Sequence, residues 1–279
     1  MTRVAVLGTG LLGSGIAEGL IARGNRELAV WNRSVEKTAP LVALGARTFA
    51  TAADAVVGVD LIHLVLRDDE AVDAIVTEIR GSIAPRAVIV DHTTTRPDRT
   101  AARAAALDAA GIDYLHAPVM MGPAAARTGK GIMLVAGPNE RFARVREMLA
   151  PMSGELWHVG ERPDLAACYK LFGNAAILSM VGTIADVMHM ADAMGVLRAG
   201  ALEMLGKVNL SGTIGMRAPM MIDGNFAPQF TLDVARKDIG LMLESAGAES
   251  TPILRALAAR MDEVIAAGDA GLDVAVLGK

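Results

Sequence analysis

The chain has 279 residues, of which 52% are hydrophobic and 21% are charged, so the length favours two globular domains and the composition excludes an intrinsically disordered chain. A formal net charge of −4 and 3% aromatic residues provide neither a basic surface nor many stacking platforms, so we expect no nucleic-acid partner. The single cysteine, Cys168, excludes an internal disulfide and any metal site built from several thiolates.

An apolar strand pattern begins at Val4, which leaves no room for a secretory signal, and we expect a cytoplasmic location. The most apolar stretch, residues 171–194, is interrupted by Asn174, Asp186, His189 and Asp192. A membrane span needs about 20 residues nearly free of such groups. The sequence therefore predicts a soluble protein without a membrane partner.

Short β-branched runs alternate with helical patterns through the first half of the chain. The predicted strands are residues 4–8, 27–32, 47–49, 61–66, 87–91, 113–119, 131–136 and 156–159. The predicted helices are residues 11–23, 35–44, 52–57, 70–79, 97–110 and 141–150. This alternation predicts an α/β domain of the Rossmann type, with a doubly wound parallel sheet covered by helices on both faces.

The strand pattern stops beyond Gly160, and long helical runs follow at residues 165–194 and 252–267. The sequence contains no internal repeat, low-complexity tract or Ser/Gly-rich linker. We therefore predict a dinucleotide-binding domain at residues 1–162 and an all-helical domain at residues 163–279. One long helix is predicted to join them, and the helical domain would serve substrate binding and dimerisation.

A glycine-rich turn follows the first predicted strand, and Gly8-Thr9-Gly10-Leu11-Leu12-Gly13 fits the pattern G-x-G-x-x-G. Between a strand and a helix, such glycines allow a tight turn and a close backbone approach to a pyrophosphate. These six residues are predicted to contact a dinucleotide cofactor. The alternative is a purely structural turn, which the position within an alternating β/α half disfavours.

The end of the second predicted strand indicates which dinucleotide binds. NAD-binding units usually carry Asp or Glu about 20 residues past the glycines, where the carboxylate accepts from the ribose 2′-hydroxyl. This chain has Asn32, Arg33 and Ser34 there, with Lys37 shortly after. Arg33 can bind a 2′-phosphate through paired charge-assisted hydrogen bonds, and the other three can add donors. The pattern favours NADP(H) over NAD(H), although the same residues also suit a solvated turn.

Lys170 lies in the mostly apolar run that begins the long predicted helix, and Asn174 follows one turn later on the same face. Burying an unpaired ammonium is costly, and a lysine so placed changes its pKa readily. Such a group could protonate an oxygen as hydride reaches the adjacent carbon. From these residues alone, a lysine that extends from a core helix to solvent explains the pattern equally well.

Four segments in order carry a resemblance to a known family along essentially the whole chain. They are the glycine turn, Asp91-His92-Thr93-Thr94-Thr95, the helix with Lys170 and Asn174, and residues 230–246 with Lys237-Asp238-Ile239-Gly240-Leu241. The chain resembles the β-hydroxyacid dehydrogenases, a 6-phosphogluconate dehydrogenase-like family that includes 3-hydroxyisobutyrate dehydrogenases and glyoxylate/succinic semialdehyde reductases. By this resemblance, the chain is an oxidoreductase that forms dimers or tetramers.

The resemblance also implies roles for individual residues. Lys170 would be the general acid/base and Asn174 its orienting neighbour. Leu66 and Thr94 would contact the cofactor, and Lys237 would contact the cofactor or the substrate. Without the resemblance, Lys237 beside an aspartate reads as an exposed ion pair on a surface helix.

The predicted substrate loop departs from the family. Where the family has D-A-P-V-S-G-G, this chain has His116-Ala117-Pro118-Val119-Met120-Met121-Gly122. Met120 provides no hydroxyl donor and Met121 fills space that glycine would leave open, so His116, Met120, Met121 and Gly122 are predicted to line a more apolar substrate pocket. A standard 3-hydroxyisobutyrate substrate is therefore doubtful.

The five histidines stand singly, as strand-end or helix-surface residues, and we expect no metal site. The leading hypothesis is an NADP-dependent reductase of a small aldehyde or ketone, or in reverse a dehydrogenase of a 3-hydroxy acid. An imine reductase shares the architecture, but such enzymes typically place Asp or Tyr at the position of Lys170. A non-catalytic NADP-binding protein is the third hypothesis, and the presence of both Lys170 and Asn174 speaks against it.

Overall fold

A computed structural model describes residues 2–25 and 27–279. Met1 and Arg26, which belong to the predicted domain 1–162, lie outside the described residues. The chain divides into two compact units, residues 1–174 and residues 175–279. The division falls within the long helix at residues 165–193 rather than before it.

The first unit is built on a single sheet. Its described strands are β1 (Val4–Leu7), β2 (Ala29–Trp31), β3 (Arg47–Thr48), β4 (Leu61–Leu64), β5 (Val88–Asp91), β6 (Asp113–His116), β7 (Val119–Met120), β8 (Ile132–Ala136) and β9 (Glu155–Gly160). The order in the sheet is β3-β2-β1-β4-β5-β6-β8-β7, with β9 paired to β8. Strands β1 to β6 are parallel, and the order reverses direction at β1, so the predicted Rossmann-type α/β fold is confirmed.

Beyond the parallel strands β1 to β6, the sheet continues with an antiparallel part that the sequence analysis did not predict. β8 runs antiparallel to both β6 and β7 and parallel to β9. The strand predicted at residues 113–119 is also divided into β6 and β7. Pro118 separates them, because proline has no N–H to give to a sheet, while its carbonyl still accepts from Leu134 N at 3.0 Å.

Helices cover both faces of this sheet and form the second unit. The described α-helices are α1 (Leu11–Ala22), α2 (Ala39–Ala43), α3 (Ala52–Ala55), α4 (Asp69–Ile79), α5 (Pro97–Ala109), α6 (Pro123–Thr128), α7 (Asn139–Leu149), α8 (Leu165–Ala193), α9 (Arg198–Lys207), α10 (Leu210–Asp223), α11 (Leu232–Ala246) and α12 (Pro252–Val264). The helix predicted at residues 35–44 is a 3-10 turn at Val35–Thr38 followed by α2. Pro40 lies in the first turn of α2, where the absent N–H is not needed.

Helix α4 shows how the sequence specifies an element of the first unit. The Asp68 carboxylate accepts from Ala71 N at 2.9 Å and caps the helix. The acidic residues of the first turn interact favourably with the positive end of the helix dipole. Val72, Ile75, Val76 and Ile79 recur at helical spacing and are buried. One face of α4 therefore packs on the sheet, and its N-terminal turn is fixed beside the end of β4.

The two faces of the sheet carry separate cores. Alternate residues along β1 point to opposite faces: Val4 and Val6 join one apolar cluster, and Ala5 and Leu7 join the other. Because helices bury both faces, the central strands β1, β4 and β5 are mostly apolar, with His63 and Asp91 as buried polar exceptions. The carboxyl ends of β1, β4 and β5 therefore meet at one edge, where the loops that follow them lie together.

The second unit has its own apolar core, formed mainly by α11 and α12. Two buried carboxylates order it: Asp273 accepts from Gln229 N and Phe230 N, and Asp186 of α8 accepts from Leu254 N at 2.8 Å. The latter contact satisfies an N–H in the first turn of α12. The C-terminal part of α8 therefore contributes to this unit through a buried polar contact.

Helix α8 is, among the described residues, the one helix long and apolar enough to cross a membrane, by length and composition alone. Much of its apolar surface in the second unit is exposed, including Leu178 at 67% and Val181 at 58%. In contrast, a buried carboxylate such as Asp186, hydrogen-bonded to Leu254 N, is typical of a helix that packs within a globular unit.

Candidate active site

The turn between β1 and α1 requires glycine at two positions. Gly8 adopts a φ of +100°, and a Cβ there would lie 2.2 Å from the Val65 carbonyl oxygen. A Cβ on Gly13 would lie 1.9 Å from the Gly8 carbonyl oxygen, so α1 packs directly on the turn. A Cβ on Gly10 would meet nothing within 4 Å, because this residue faces open space. The glycine turn thus combines close packing with an accessible backbone.

A cavity of about 780 Å³ lies in front of this turn. Most of the predicted cofactor-binding residues line it: Gly8, Gly10, Leu11, Leu12, Gly13, Asn32, Arg33, Ser34, Lys37, Leu66 and Thr94. The lining also includes residues that the sequence did not single out, among them Trp31, Arg67, Asp68, His92 and Thr93. Thr9 is buried instead, and its side-chain oxygen has no hydrogen-bond partner among the residues that the structure describes.

Asn32 joins the glycine turn to the loop after β2. Its Oδ1 accepts from Thr9 N at 3.0 Å, and its Nδ2 donates to the Ser34 carbonyl at 3.0 Å. Each end of the side-chain amide therefore has one partner within the protein. The second N–H of Nδ2 has no partner in the described structure, so the predicted donor role of Asn32 stays a prediction. Asn32 lines the cavity and joins the glycine turn to the loop that carries Arg33.

The charges around the cavity favour an anion near Arg33 and Lys37. Both side chains are exposed, and neither forms an ion pair within residues 2–25 and 27–279. The acidic residues of the lining are already engaged, since Glu70 pairs with Arg99 and Asp68 caps α4. The backbone N–H of Ala71 and the guanidinium of Arg67 lower the pKa of Asp68. Among the charged side chains that line the cavity, Arg33 and Lys37 are thus the ones that form no ion pair or helix cap in the described part of the chain.

Hydrogen bonds fix the loops that follow β4 and β5. Leu66 N donates to Thr93 Oγ1 at 3.1 Å, and Thr93 N donates to Asp91 Oδ1 at 2.9 Å. Thr93 is buried by these contacts, while Thr94 is exposed and lines the cavity. The predicted cofactor-contacting positions Leu66 and Thr94 therefore lie on one rigid wall.

Three histidines that the sequence placed singly are fully or almost fully buried behind this wall. His92 Nδ1 lies 2.6 Å from the Ala117 carbonyl, to which it donates, so the Nε2 of a neutral ring accepts from His63 Nδ1 at 2.8 Å. Among the described residues, His63 Nε2 is then left without a hydrogen-bond partner. His116 ends β6 and His92 directly follows β5, as the strand-end expectation has it, whereas His63 lies within β4. The pairing of β4 with β5 brings His63 next to His92.

The buried histidines predict a loss of stability in mild acid. Burial lowers the pKa of His63, His92 and His116 below the ordinary value. The unfolded chain then binds more protons than the folded chain as the pH falls below about 6.5. The free energy of unfolding should therefore be maximal above that pH and decrease by up to about 1.4 kcal/mol per pH unit for each buried neutral histidine.

Urea unfolding monitored by circular dichroism at about pH 7.5 and about pH 5.5 checks this prediction in the range where histidine titrates. The partly exposed His189 on α8 lies outside this buried group and provides the matched control, since His189→Gln should leave the difference unchanged. An equal free energy of unfolding at both pH values would contradict the expected dependence.

Lys170 lies on the first turns of α8 and contacts the predicted substrate loop. Its Nζ donates to the Val119 carbonyl at 2.8 Å and to Met120 Sδ at 3.4 Å. The side chain is half-buried and forms no ion pair in the described part of the chain. Burial alone lowers the pKa of Lys170 below its ordinary value. The ammonium is therefore a stronger acid than a solvated lysine, and no carboxylate neutralises it.

The loop that contacts Lys170 is connected to the cavity wall. His92 lines the cavity and donates to the carbonyl of Ala117, two residues before Val119. Lys170 in turn donates to the carbonyl of Val119. The first unit thus contains a cavity of about 780 Å³ and, on a segment next to its wall, the half-buried ammonium of Lys170.

The remaining predicted substrate residues have different positions. His116 is fully buried, with Nε2 directed to the Thr93 carbonyl at 3.0 Å, and this enclosed position contradicts the predicted substrate contact. Met121 is partly buried against the sheet core, and Gly122 is exposed at the start of α6. Met120 is partly exposed beside Lys170. The apolar loop therefore reaches the ammonium through Met120.

For two further predicted residues, the structure gives only their positions within their own units. Asn174 lies one helical turn beyond Lys170 and is partly exposed. Lys237 belongs to α11 in the second unit, where its Nζ pairs with Asp238 Oδ1 at 2.9 Å and its side chain is 62% exposed. Their roles as orienting and contacting residues stay predictions.

The residues of the cavity fit a dinucleotide. The open backbone at Gly10 would face a pyrophosphate at the start of α1, where helical N–H groups point outward. Arg33 and Lys37 would face the ribose end of the nucleotide, and Thr94 the opposite wall. The described residues contain no group of three His, Cys, Asp or Glu side chains placed to hold a metal ion.

Comparison with known proteins identifies the family. A family model described as the NAD binding domain of 6-phosphogluconate dehydrogenase matches residues 3–160. The uncharacterized oxidoreductase YfjR of Bacillus subtilis is 27% identical over 281 residues, covering 99% of this chain and 98% of its own length. The human cytokine-like nuclear factor N-PAC is 28% identical over 261 residues, covering 92% of this chain. The chain spans about half the length of the N-PAC relatives, 47% for the human protein.

Solved structures share the fold. An imine reductase from Myxococcus stipitatus in complex with NADP+ superposes with a TM-score of 0.90 at 21% identity, covering 99% of this chain and 98% of the other. A reductive aminase from Aspergillus terreus in complex with NADPH4, cyclohexanone and allyl amine gives 0.89, also at 21% identity and with the same coverage. The chain therefore belongs to the family built on the NAD binding domain of 6-phosphogluconate dehydrogenase, and its resemblance to the β-hydroxyacid dehydrogenases is confirmed.

Proposed function

We propose that the protein is an NADP(H)-dependent oxidoreductase that reduces a small aldehyde or ketone, or in the reverse direction oxidises a small hydroxy compound. The observation that carries this proposal is the half-buried Lys170, which has no counter-carboxylate and lies on a segment next to the cavity wall. The family supports the nucleotide-binding role of the first unit. The NADPH and NADP+ complexes of proteins with the same fold support the choice of cofactor.

Each residue has a defined task in this reaction. The glycine turn and Arg33 bind the cofactor, whose dihydronicotinamide supplies a hydride to the carbonyl carbon when bound. Negative charge then develops on the carbonyl oxygen. Lys170 Nζ donates a hydrogen bond to that oxygen and transfers its proton to it, leaving a neutral amine that takes a proton from water. In the oxidative direction, the neutral amine accepts the hydroxyl proton.

An imine reductase is the second candidate, and specific observations favour it. The solved structures with this fold include imine reductases. The loop beside Lys170 presents the apolar side chain of Met120 rather than a hydroxyl, which suits a neutral or weakly basic compound. An iminium ion would be repelled by a charged Lys170, so the carbonyl reaction fits the ammonium better.

A substrate panel separates these functions. Oxidation of NADPH is followed with aldehydes, β-keto acids and cyclic imines, using the wild-type protein and Lys170→Ala. Carbonyl reduction that depends on Lys170 supports the leading proposal, and turnover of imines alone supports the second. No turnover of any panel member, together with tight NADPH binding, would favour a non-catalytic NADP-binding protein.

We also propose that the protein forms at least a homodimer. The second unit exposes many large apolar side chains, including Ile177, Leu178, Ile214 and Ile222. Large exposed apolar surface usually marks an interface. The family resemblance implies dimers or tetramers. The proposed location is the cytoplasm.

Sedimentation velocity at micromolar protein concentration should give at least twice the monomer mass, because association covers this apolar surface. Leu178→Glu should shift the protein towards the monomer, whereas Glu203→Gln, at an exposed position on α9, should not. A monomeric wild-type protein would contradict the proposal, and co-sedimentation with lipid vesicles would instead indicate a membrane-bound α8.

A further inference from the structure

Met120 and Lys170 meet at a place where helix α8 carries a glycine. A Cβ on Gly173 would lie 2.7 Å from Met120 Cε and 3.4 Å from Met120 Sδ. Gly173 is three residues beyond Lys170 and therefore on the same face of the helix. The end of the Met120 side chain thus rests on the bare backbone of Gly173 while its sulfur faces Lys170 Nζ at 3.4 Å.

An ammonium has three N–H donors, and the protein uses two of them here. One goes to the carbonyl of Val119, whose position is set by the pairing of β7 with β8. The second goes to Met120 Sδ, a weak and polarisable acceptor without charge. One donor is left for a substrate oxygen. Two fixed acceptors therefore define the direction of the third N–H.

In the described part of the chain, no other side chain contacts the Lys170 ammonium in this way: Asn174, one turn further along α8, forms no hydrogen bond to it, and its orienting role stays a prediction. Strands β7 and β8 contain no titratable side chain. On β9, Glu155 is exposed, and His158 bonds to the carbonyl of Gly137. On α8 itself, Cys168 and Tyr169 form no hydrogen bond to Lys170 in the described structure.

We propose that Met120 is a positioning residue for Lys170, and that Gly173 provides the space in which the thioether holds the ammonium against the carbonyl of Val119. A hydroxyl or carboxylate at position 120 would be a stronger acceptor for the ammonium and would make Lys170 a weaker acid. The thioether, a weak acceptor without charge, orients Nζ with a much smaller effect of that kind. The catalytic meaning of this contact rests on the proposed function, but the contact itself does not.

Competitive labelling tests the contact in the free protein. Acetic anhydride acetylates only the neutral amine, so the extent of Lys170 acetylation, measured by mass spectrometry as a function of pH, reports its pKa. Exposed Lys130 serves as the internal reference. Met120→Leu preserves the bulk but removes the acceptor, and we expect the midpoint to fall by about 0.5 pH unit, as for loss of a weak hydrogen bond. Met120→Gln supplies a stronger acceptor and should raise the midpoint.

Gly173→Ala provides an independent variant that leaves Met120 in place. The new methyl group displaces only the flexible end of the methionine, so the fold should persist while the sulfur moves away from Nζ. The midpoint should fall as in Met120→Leu, and the double variant should fall no further than either single variant. Gly206→Ala on α9 is the matched control, because its Cβ would meet nothing within 4 Å.

The outcomes are distinct. Unchanged midpoints in Met120→Leu and Gly173→Ala would overturn the positioning role, even if Lys170→Ala abolishes reduction. Shifted midpoints without a parallel shift in the pH profile of kcat would preserve the contact and contradict the acid role of Lys170 in the proposed function. Parallel shifts in both measurements are the expected result.

Discussion

Lys170→Ala should reduce kcat for the true substrate by at least about 100-fold, the usual contribution of a positioned general acid. The affinity for NADPH should change little, because the charged and backbone groups of the cavity lie on other segments. Lys170→Arg should be almost as inactive, since a guanidinium is effectively never deprotonated and cannot transfer its proton. Steady-state kinetics with NADPH titrations measure both parameters.

The matched control is Lys130→Ala, which removes an exposed lysine from the same unit. Its kcat should equal that of the wild type. If Lys170→Ala kept more than about a tenth of wild-type kcat, the general-acid role would be wrong. His116, the next candidate from sequence, is enclosed within the sheet, so another acid of the first unit would then be required.

Arg33→Ala should weaken NADPH binding by about 10- to 100-fold and leave NADH binding nearly unchanged, as expected for the loss of one bidentate contact to a phosphate. The 2′-phosphate is the group that distinguishes the two cofactors. Arg33 lies on the cavity wall and forms no ion pair with any other described residue. Fluorescence titration of each cofactor gives both dissociation constants.

Arg67→Ala is the control for general electrostatics. Arg67 lines the same cavity and is exposed, but it already pairs with Asp68 at 2.8 Å. Its loss should affect both cofactors slightly and equally. An equal loss of NADPH and NADH affinity in Arg33→Ala would contradict the assignment of Arg33 to the 2′-phosphate.

Most residues of the cavity wall could be predicted from the sequence, because the motifs that identify them are local. The glycine turn follows β1 directly, and Arg33 follows β2, so each motif is set by one strand and its own loop. Local periodicity also predicted most helices of the first unit. The parallel order of strands β1 to β6 then follows from the right-handed crossover that such units adopt.

The features that sequence reasoning missed depend on pairing across long separations. The antiparallel direction of β8 is defined by its pairing with β6 and β7, which precede it in the chain by at least ten residues. The contact of His63 with His92 depends on the register of β4 against β5. Met120 and Lys170 are 50 residues apart, and their contact requires α8 to lie beside β7. None of these pairings leaves a periodic pattern in the chain.

The amide of Asn32 has a consequence for changing the nucleotide preference by design. Because it bonds both Thr9 N and the Ser34 carbonyl, it fastens two separate loops together. An aspartate at this position, the residue type of NAD-binding units, would keep the acceptor for Thr9 but would direct a negative oxygen at the Ser34 carbonyl. A substitution of Asn32 that changes the nucleotide preference therefore weakens the contact between the two loops. A substitution of Arg33 leaves that contact intact. Mutations that change the preference from NADP(H) to NAD(H) should therefore begin at Arg33.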